Sequence, residues 1–139
     1  MIHQESIHIE TSGRGTYDIT RHITDIHKAS GVLTGLCNVF IRHTSASVII
    51  CENADPDVRK DLDTFMNKLV LDGDPDFIHT TEGNDDMPAH VRSILTASSI
   101  TIPVSANKVG LGIWQGVFLY EHRQQGQKRT VMITVYGEA

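Results

Sequence analysis

Residues 35–51 read GLCNVFIRHTSASVIIC. Two runs rich in Val, Ile and Phe flank the polar centre His43-Thr44-Ser45, and residues of that kind at this density favour strands. The pattern predicts two β segments. Along the second, alternation places Ala46, Val48 and Ile50 on one side with Thr44 and Glu52 at the ends, and His43, Ser45 and Ser47 on the other. A His-Ser-Ser row is polar where a buried face would be apolar. Side by side, His43 and Ser45 can line a pocket wall that holds phosphate or a metal; the bland alternative is a polar strand face or subunit contact. A serine hydrolase is disfavoured, because no G-x-S-x-G elbow is present.

Outward from this stretch, Ile2, Ile7 and Ile9 suggest a first strand closed by the glycine-containing loop Thr11 to Gly15. Asp18 offers an N-cap before Ile19, Ile23 and Ile26, and Gly31 supplies a stop, which predicts a short amphipathic helix. On the other side, Asp55-Pro56 gives an N-cap and first-turn proline to a helix whose apolar stripe is Val58, Leu62, Phe65, Met66 and Leu69. Pro88 with Val91, Ile94 and Leu95 suggests a further short helix. Ser98 to Val104, Leu111 to Glu121 and Arg129 to Tyr136 read as strands, separated by Ala106-Asn107-Lys108 and by the polar turn Arg123 to Lys128. At least six β segments and two or three helices without βαβ alternation give the class α+β, in one domain spanning residues 1–139.

The chain carries 12 Lys and Arg against 17 Asp and Glu, for a net charge of −5, with 40% apolar residues. Six of the acids (Asp72, Asp74, Asp76, Glu82, Asp85 and Asp86) lie between Leu71 and Ala89, and without them 11 acids face 12 bases. The acidity is therefore local. No apolar run reaches the roughly 18–20 residues of a membrane helix. The N-terminal MIHQESIHIE lacks a signal peptide's basic flank and apolar stretch, so the expected location is cytoplasmic. No basic stripe with interleaved aromatics appears, which argues against nucleic acid. Cys37 and Cys51 sit in apolar contexts far from any Cys-x-x-Cys spacing and read as reduced, buried thiols.

The acidic segment, with Gly73, Pro75 and Gly83 and no regular period, reads as a long loop anchored by Phe77 and Ile78, and loops of this length tend to be functional. It places His79, Glu82, Asn84, Asp85, Asp86 and His90 within twelve positions. Imidazoles suit zinc and similar ions while carboxylates suit magnesium or calcium, so the mixture permits a divalent metal without naming it. The alternative is that Asp85 or Asp86 caps the helix near Pro88 and the other acids are solvated. A third cluster, Gly110 to Gly116, superficially offers G-x-G but begins a strand instead of linking strand to helix, which argues against a dinucleotide site. Trp114 lies there between Gly112 and Gly116, while Gln115 and Glu121 share the opposite face; a carboxylate among apolar neighbours either pairs or serves a site.

Taken together, His43-Thr44-Ser45-Ala46-Ser47, Glu52-Asn53-x-Asp55-Pro56, Glu82-Gly83-x-Asp85-Asp86-Met87-Pro88-x-His90, Ser99-x-Thr101-x-Pro103-Val104, Gly112-x-Trp114-Gln115-Gly116 and Glu121-His122-Arg123 resemble the YjbQ family, also called uncharacterised protein family 0047. The resemblance spans essentially the whole chain. It implies a two-sheet α+β sandwich assembling as a homotrimer with pockets near subunit interfaces, and a secondary thiamine-phosphate synthase activity on phosphorylated small molecules. It also implies that His43, Thr44, Ser45, Glu52, Asn53, His79, Glu82, Asp85, Asp86, His90, Trp114, Gln115 and Glu121 form the polar signature.

Two metal arrangements follow as expectations. In one, Glu82, Asp85 and Asp86 hold a magnesium-like ion against phosphate oxygens; in the other, His43, His79 and His90 ligate a zinc-like ion, with Glu52 or Glu82 orienting an imidazole from behind. Thr44, Ser45, Asn53, Asn84, Trp114 and Gln115 are the expected substrate contacts, and Glu52, His90 and Glu121 the expected catalytic groups. His90 or Glu121 activating water would instead make a phosphate-ester hydrolase. A trimeric metal- or anion-binding module is the non-enzymatic alternative.

Overall fold

The structure is a computed structural model describing residues 1–139. In chain order the elements are β1 (Ile2–Glu10), β2 (Gly15–Asp18), α1 (Thr20–Ser30), β3 (Thr34–Ile41), β4 (Ala46–Glu52), α2 (Pro56–Leu69), α3 (Asp86–Leu95), β5 (Ser99–Ser105), β6 (Lys108–Val109), β7 (Gln115–Glu121) and β8 (Lys128–Glu138). They form an α+β sandwich. One antiparallel sheet runs β1-β8-β3-β5-β6 and the other runs β2-β7-β4.

Period-two alternation explains the layering. Cys37, Val39 and Ile41 of β3, Val131, Ile133 and Val135 of β8 and Ile102 and Val104 of β5 meet Ala46 and Val48 of β4 and Val117 and Leu119 of β7 in one apolar core. Ile19, Ile23 and Ile26 insert the buried stripe of α1 into the same core. The other face of the smaller sheet, including Ser47, Phe118 and Tyr120, is covered by α2 and α3: the Tyr120 hydroxyl donates to Asp63 (2.9 Å) and the Thr96 hydroxyl meets that of Ser47 (2.7 Å). Helices α2 and α3 therefore lie on the outer face of the smaller sheet while α1 packs on the core side, and the loop from Leu71 to Asp85 connects α2 to α3.

The local signals explain the helices. Asp55 accepts from the Asp57 N–H at 2.9 Å with Pro56 in the first turn, and Gly31 closes α1 in the left-handed region at φ 72°, where a side chain would be strained. Asp18 sits one residue before the N-cap position of α1, held by Ile19, and still accepts the Thr20 N–H at 2.9 Å.

Three expectations are corrected. Gly15–Asp18 is a strand, β2, paired with β7; with no apolar alternation in Gly-Thr-Tyr-Asp, only the partner makes it one. Residues 111–114 are not strand: Gly110 N–H donates to Pro103 O and Gly112 N–H to the Gln115 side chain, folding the segment into a turn. Residues 42–45 are a turn between β3 and β4 rather than part of a strand, so His43, Ser45 and Ser47 share no face. Cys37 and Cys51 are free, and burial pushes the Cys37 thiol up to about 11. No helix is long and apolar enough to cross a membrane.

Candidate metal and ligand site

Helix α3 begins at the end of the acidic loop, so Asp86 and His90, four residues apart, rise from one face of its first turns. The loop brings His79 over the same spot. Asp86 Oδ2 lies 2.8 Å from His79 Nε2 and 3.1 Å from His90 Nε2, and one potential ligand atom from each of the three residues falls within 4.8 Å of the others. His79 and His90 rings are tilted, with centroids 5.5 Å apart.

The carboxylate is held from behind. Arg123 donates from Nη1 to Asp86 Oδ1 (2.8 Å), from Nε to Asp85 Oδ2 (3.0 Å) and from Nη2 to the Glu82 carbonyl (2.9 Å). Asp85 also accepts the Gln124 N–H at 2.9 Å. Asp85 occupies the N-cap position of α3 but makes no side-chain cap, so its carboxylate serves Arg123 instead of the helix. Burial raises the pKa of both aspartates. For Asp85 the hydrogen bonds and charge of Arg123 outweigh it, and for Asp86 the His79 hydrogen bond and the charges of His90 and Arg123 do, so both lie below the ordinary carboxylate value.

The donor set has one feature that a neutral hydrogen-bond network cannot satisfy. His90 Nδ1 lies 3.0 Å from the Thr44 carbonyl, which can only accept, so Nδ1 carries a proton. In a neutral ring Nε2 is then bare, yet it faces Asp86 Oδ2, a second pure acceptor. Either a second proton, which makes the ring an imidazolium donating to both oxygens, or a metal ion between Nε2 and Asp86 resolves the conflict, and a backbone-oriented imidazole of this kind is how proteins aim a metal-binding nitrogen. His79, Asp86 and His90 thus fit a divalent ion with two imidazoles and one carboxylate.

Beside this cluster lies a cavity of about 700 Å³ lined by His43, Thr44, His79, Met87, His90, Ser93, Ile94, Thr96 and Ser98. Its walls combine apolar Met87 and Ile94 with hydroxyls, and no Lys or Arg lines it. The Ser93 hydroxyl is buried there without a partner. Asn84 belongs to a second, smaller cavity of about 300 Å³ that shares His79 and Met87.

The remaining expected residues divide in two. The Glu82 side chain is exposed, and that residue contributes through its backbone. His43 does not join the cluster, because its Nε2 accepts the Thr130 N–H at 2.7 Å. Ser45 is tied to Arg129, which donates to its hydroxyl (2.9 Å) and carbonyl (3.2 Å). Glu121 is fully buried and saturated by Thr11, by the N–H groups of His122 and Arg123, and by two nitrogens of Arg129. It has no lone pair to offer a substrate, and it instead fixes Arg129, and through it the turn carrying Thr44.

Glu52, Asn53, Trp114 and Gln115 lie elsewhere. Glu52 pairs with Gln115 while Ala46 pairs with Glu121, and six strand steps of roughly 3.3 Å put about 20 Å between those two ends. At the far end Glu52 accepts the Ala54 and Asp55 N–H groups, Asn53 donates to Ile113 O, and Gln115 accepts from Gly112. Their polar atoms stiffen a turn that displays Ile113 and Trp114, the latter 59% exposed. Within one chain, then, Glu52 cannot orient His79 or His90.

Sequence reasoning missed Arg123 as a clamp, Arg129 as the partner of Glu121, and Ser93. A partner almost 40 positions from Asp85 and Asp86 leaves no spacing signal.

Residues 5–138 match the family described as UPF0047 protein YjbQ-like. UPF0047 protein sll1880 of Synechocystis is 52% identical over 98% of this chain and 92% of its own length. UPF0047 protein YjbQ of Salmonella typhimurium is 41% identical over 99% of this chain and all of its own. Among solved structures, a YjbQ/UPF0047 protein of Clostridium acetobutylicum superposes with a TM-score of 0.88 at 32% identity, covering 95% of this chain and 99% of that one. A hypothetical protein from Aeropyrum pernix does so with a TM-score of 0.89 at 28% identity, covering 97% and 98%. With its two antiparallel sheets, its three helices and near-complete coverage by these relatives, the chain belongs to the YjbQ-like UPF0047 family.

Proposed function

We propose that the protein is a metal-dependent enzyme acting on small phosphorylated molecules, with formation of thiamine phosphate as the reaction its site supports best. In that transfer a pyrimidine-methyl diphosphate joins a thiazole phosphate and pyrophosphate departs. The observation that carries the reading is the His79–Asp86–His90 convergence, with His90 Nε2 facing Asp86 Oδ2, at a cavity of about 700 Å³. A bound divalent ion would neutralise the charge that develops on the departing pyrophosphate.

The chain's own residues do the rest. Arg123 occupies Asp86 Oδ1 and leaves Oδ2 toward the cluster. The Thr44 carbonyl sets the His90 tautomer. Met87 and Ile94 provide an apolar wall against which a ring can lie. Because no Lys or Arg lines the cavity, phosphate charge depends on the ion. The hydrolase reading loses its base, since Glu121 is sealed by Arg129 and His90, with Nδ1 on the Thr44 carbonyl, would give its Nε2 to the ion.

A homotrimer is part of the proposal. Phe65, Leu69, Leu71, Ile78, Ile94 and Leu95 are exposed on the helices and loop, and Ile113 and Trp114 at the opposite end; such apolar surface is the kind that subunits cover.

The test is elemental analysis of the purified chain with an assay for thiamine phosphate from the two phosphorylated precursors. Asp86→Ala and His90→Ala are expected to lose the ion and at least about 100-fold in rate. Full activity in both variants refutes the reading. Ion binding without turnover of any phosphorylated substrate establishes a binding module instead.

A further inference from the structure

His43 lines the same cavity as His79 and His90, but its ring is committed differently. The Thr130 N–H donates to its Nε2 at 2.7 Å. A backbone N–H can only donate, so Nε2 is bare and the proton of the neutral ring sits on Nδ1. The ring cannot turn over without leaving that backbone donor unpaired. The turn is also pinned on both sides: Arg42 N–H donates to Thr130 O (3.1 Å), and Arg129 holds Ser45. Burial, and then the charge of Arg129, hold His43 below the ordinary histidine value against the opposing charge of Glu121.

His43 and His90 thus carry their proton on the same atom but leave opposite atoms free. In His90 the remaining atom is the Nε2 that faces Asp86; in His43 it is an Nδ1–H. We infer that His43 is a fixed, neutral hydrogen-bond donor that binds an oxygen of the phosphorylated ligand, and that it is not a ligand of the ion. In a cavity without Lys or Arg, such a donor holds a phosphoryl oxygen without adding charge. The identity of the acceptor rests on the function proposed above, whereas the tautomer does not.

The test is long-range proton–nitrogen NMR of the ¹⁵N-labelled full chain, metal-free, zinc-loaded, and zinc-loaded with inorganic phosphate. The expected result is His43 in the Nδ1–H form throughout, unshifted by zinc while His79 and His90 shift, with its Nδ1–H signal moving when phosphate is added. His43→Ala should then weaken phosphate binding to the zinc-loaded protein about tenfold and leave zinc affinity within about twofold. His43→Asn, whose amide nitrogen falls near the Nδ1 position, should recover much of the loss, and His43→Gln, whose amide falls near Nε2, should not. An Nε2–H form, or a zinc-induced shift like that of His79, overturns the inference. So does phosphate binding that moves neither His43 nor the affinity of His43→Ala. If zinc fails to bind while His43 shows the Nδ1–H form, the ion site falls and the tautomer stands.

Discussion

Five hydrogen bonds from four residues converge on the Glu121 carboxylate. Glu121→Gln leaves the Arg129 guanidinium, 5% exposed, without its counter-charge. Removing one partner of a buried pair costs roughly 3–5 kcal/mol, so chemical denaturation should show a loss of about that size. Because Arg129 also holds Ser45, next to the carbonyl that orients His90, the variant should bind zinc more weakly although Glu121 touches neither the proposed ion site nor the cavity. His122 makes a second prediction. It is fully buried, its Nδ1 has no partner, and burial followed by the charges of Arg92, Arg14 and Arg129 pushes its pKa from 6.5 to about 3. The unfolded chain therefore takes up a proton that the folded chain refuses. Its contribution is complete above pH 6.5 and is lost progressively as pH falls toward 3; between pH 6.5 and about 4 the loss is about 3 kcal/mol. Unfolding free energies measured across this range should fall less steeply in His122→Asn.

At the scale of elements, α2 owes its start to a purely local device. Asp55→Ala deletes the cap on the Asp57 N–H and should cost about 1 kcal/mol in thermal or denaturant unfolding, with no change at the proposed ion site. Such devices were legible in sequence: Asp55-Pro56, Gly31 and the apolar spacings of both early helices act within a few residues. Strand β2 was not, because its four residues become a strand only through β7. The His43-Ser45-Ser47 row failed for a related reason. Alternation along β4 holds from Ala46 onward, but the Thr130 N–H and Arg129, both from β8, bend the preceding residues into a turn. That bend separates the three side chains: His43 lines the cavity, Ser45 binds Arg129, and Ser47 meets His122 at 2.9 Å.

Over the whole molecule, the two ends of the small sheet have different tasks. One end carries His79, Asp86 and His90 beside the cavity; the other spends the polar atoms of Glu52, Asn53 and Gln115 on a turn that exposes Ile113 and Trp114. The candidate site was half legible as a result. The nearness of His79, Asp86 and His90 follows from a loop and one helical turn, although the two expected ligand sets divided them, whereas the placement of Glu52 and the clamp by Arg123 depend on strand pairing and long-range contacts. Sedimentation equilibrium should give a mass near three chains; a mass near one chain at micromolar concentration defeats the trimer and leaves the ion site unaffected.

The central claim is that His79, Asp86 and His90 hold a divalent ion. The most direct measurement is calorimetric titration of the metal-stripped protein with zinc, combined with X-ray absorption of the loaded form. One ion per chain with two imidazole nitrogens and a carboxylate oxygen among its ligands, lost in an Asp86→Ala/His90→Ala double variant that remains folded, is the predicted result. Undiminished zinc binding in that folded double variant, or a ligand shell without imidazole, would contradict it.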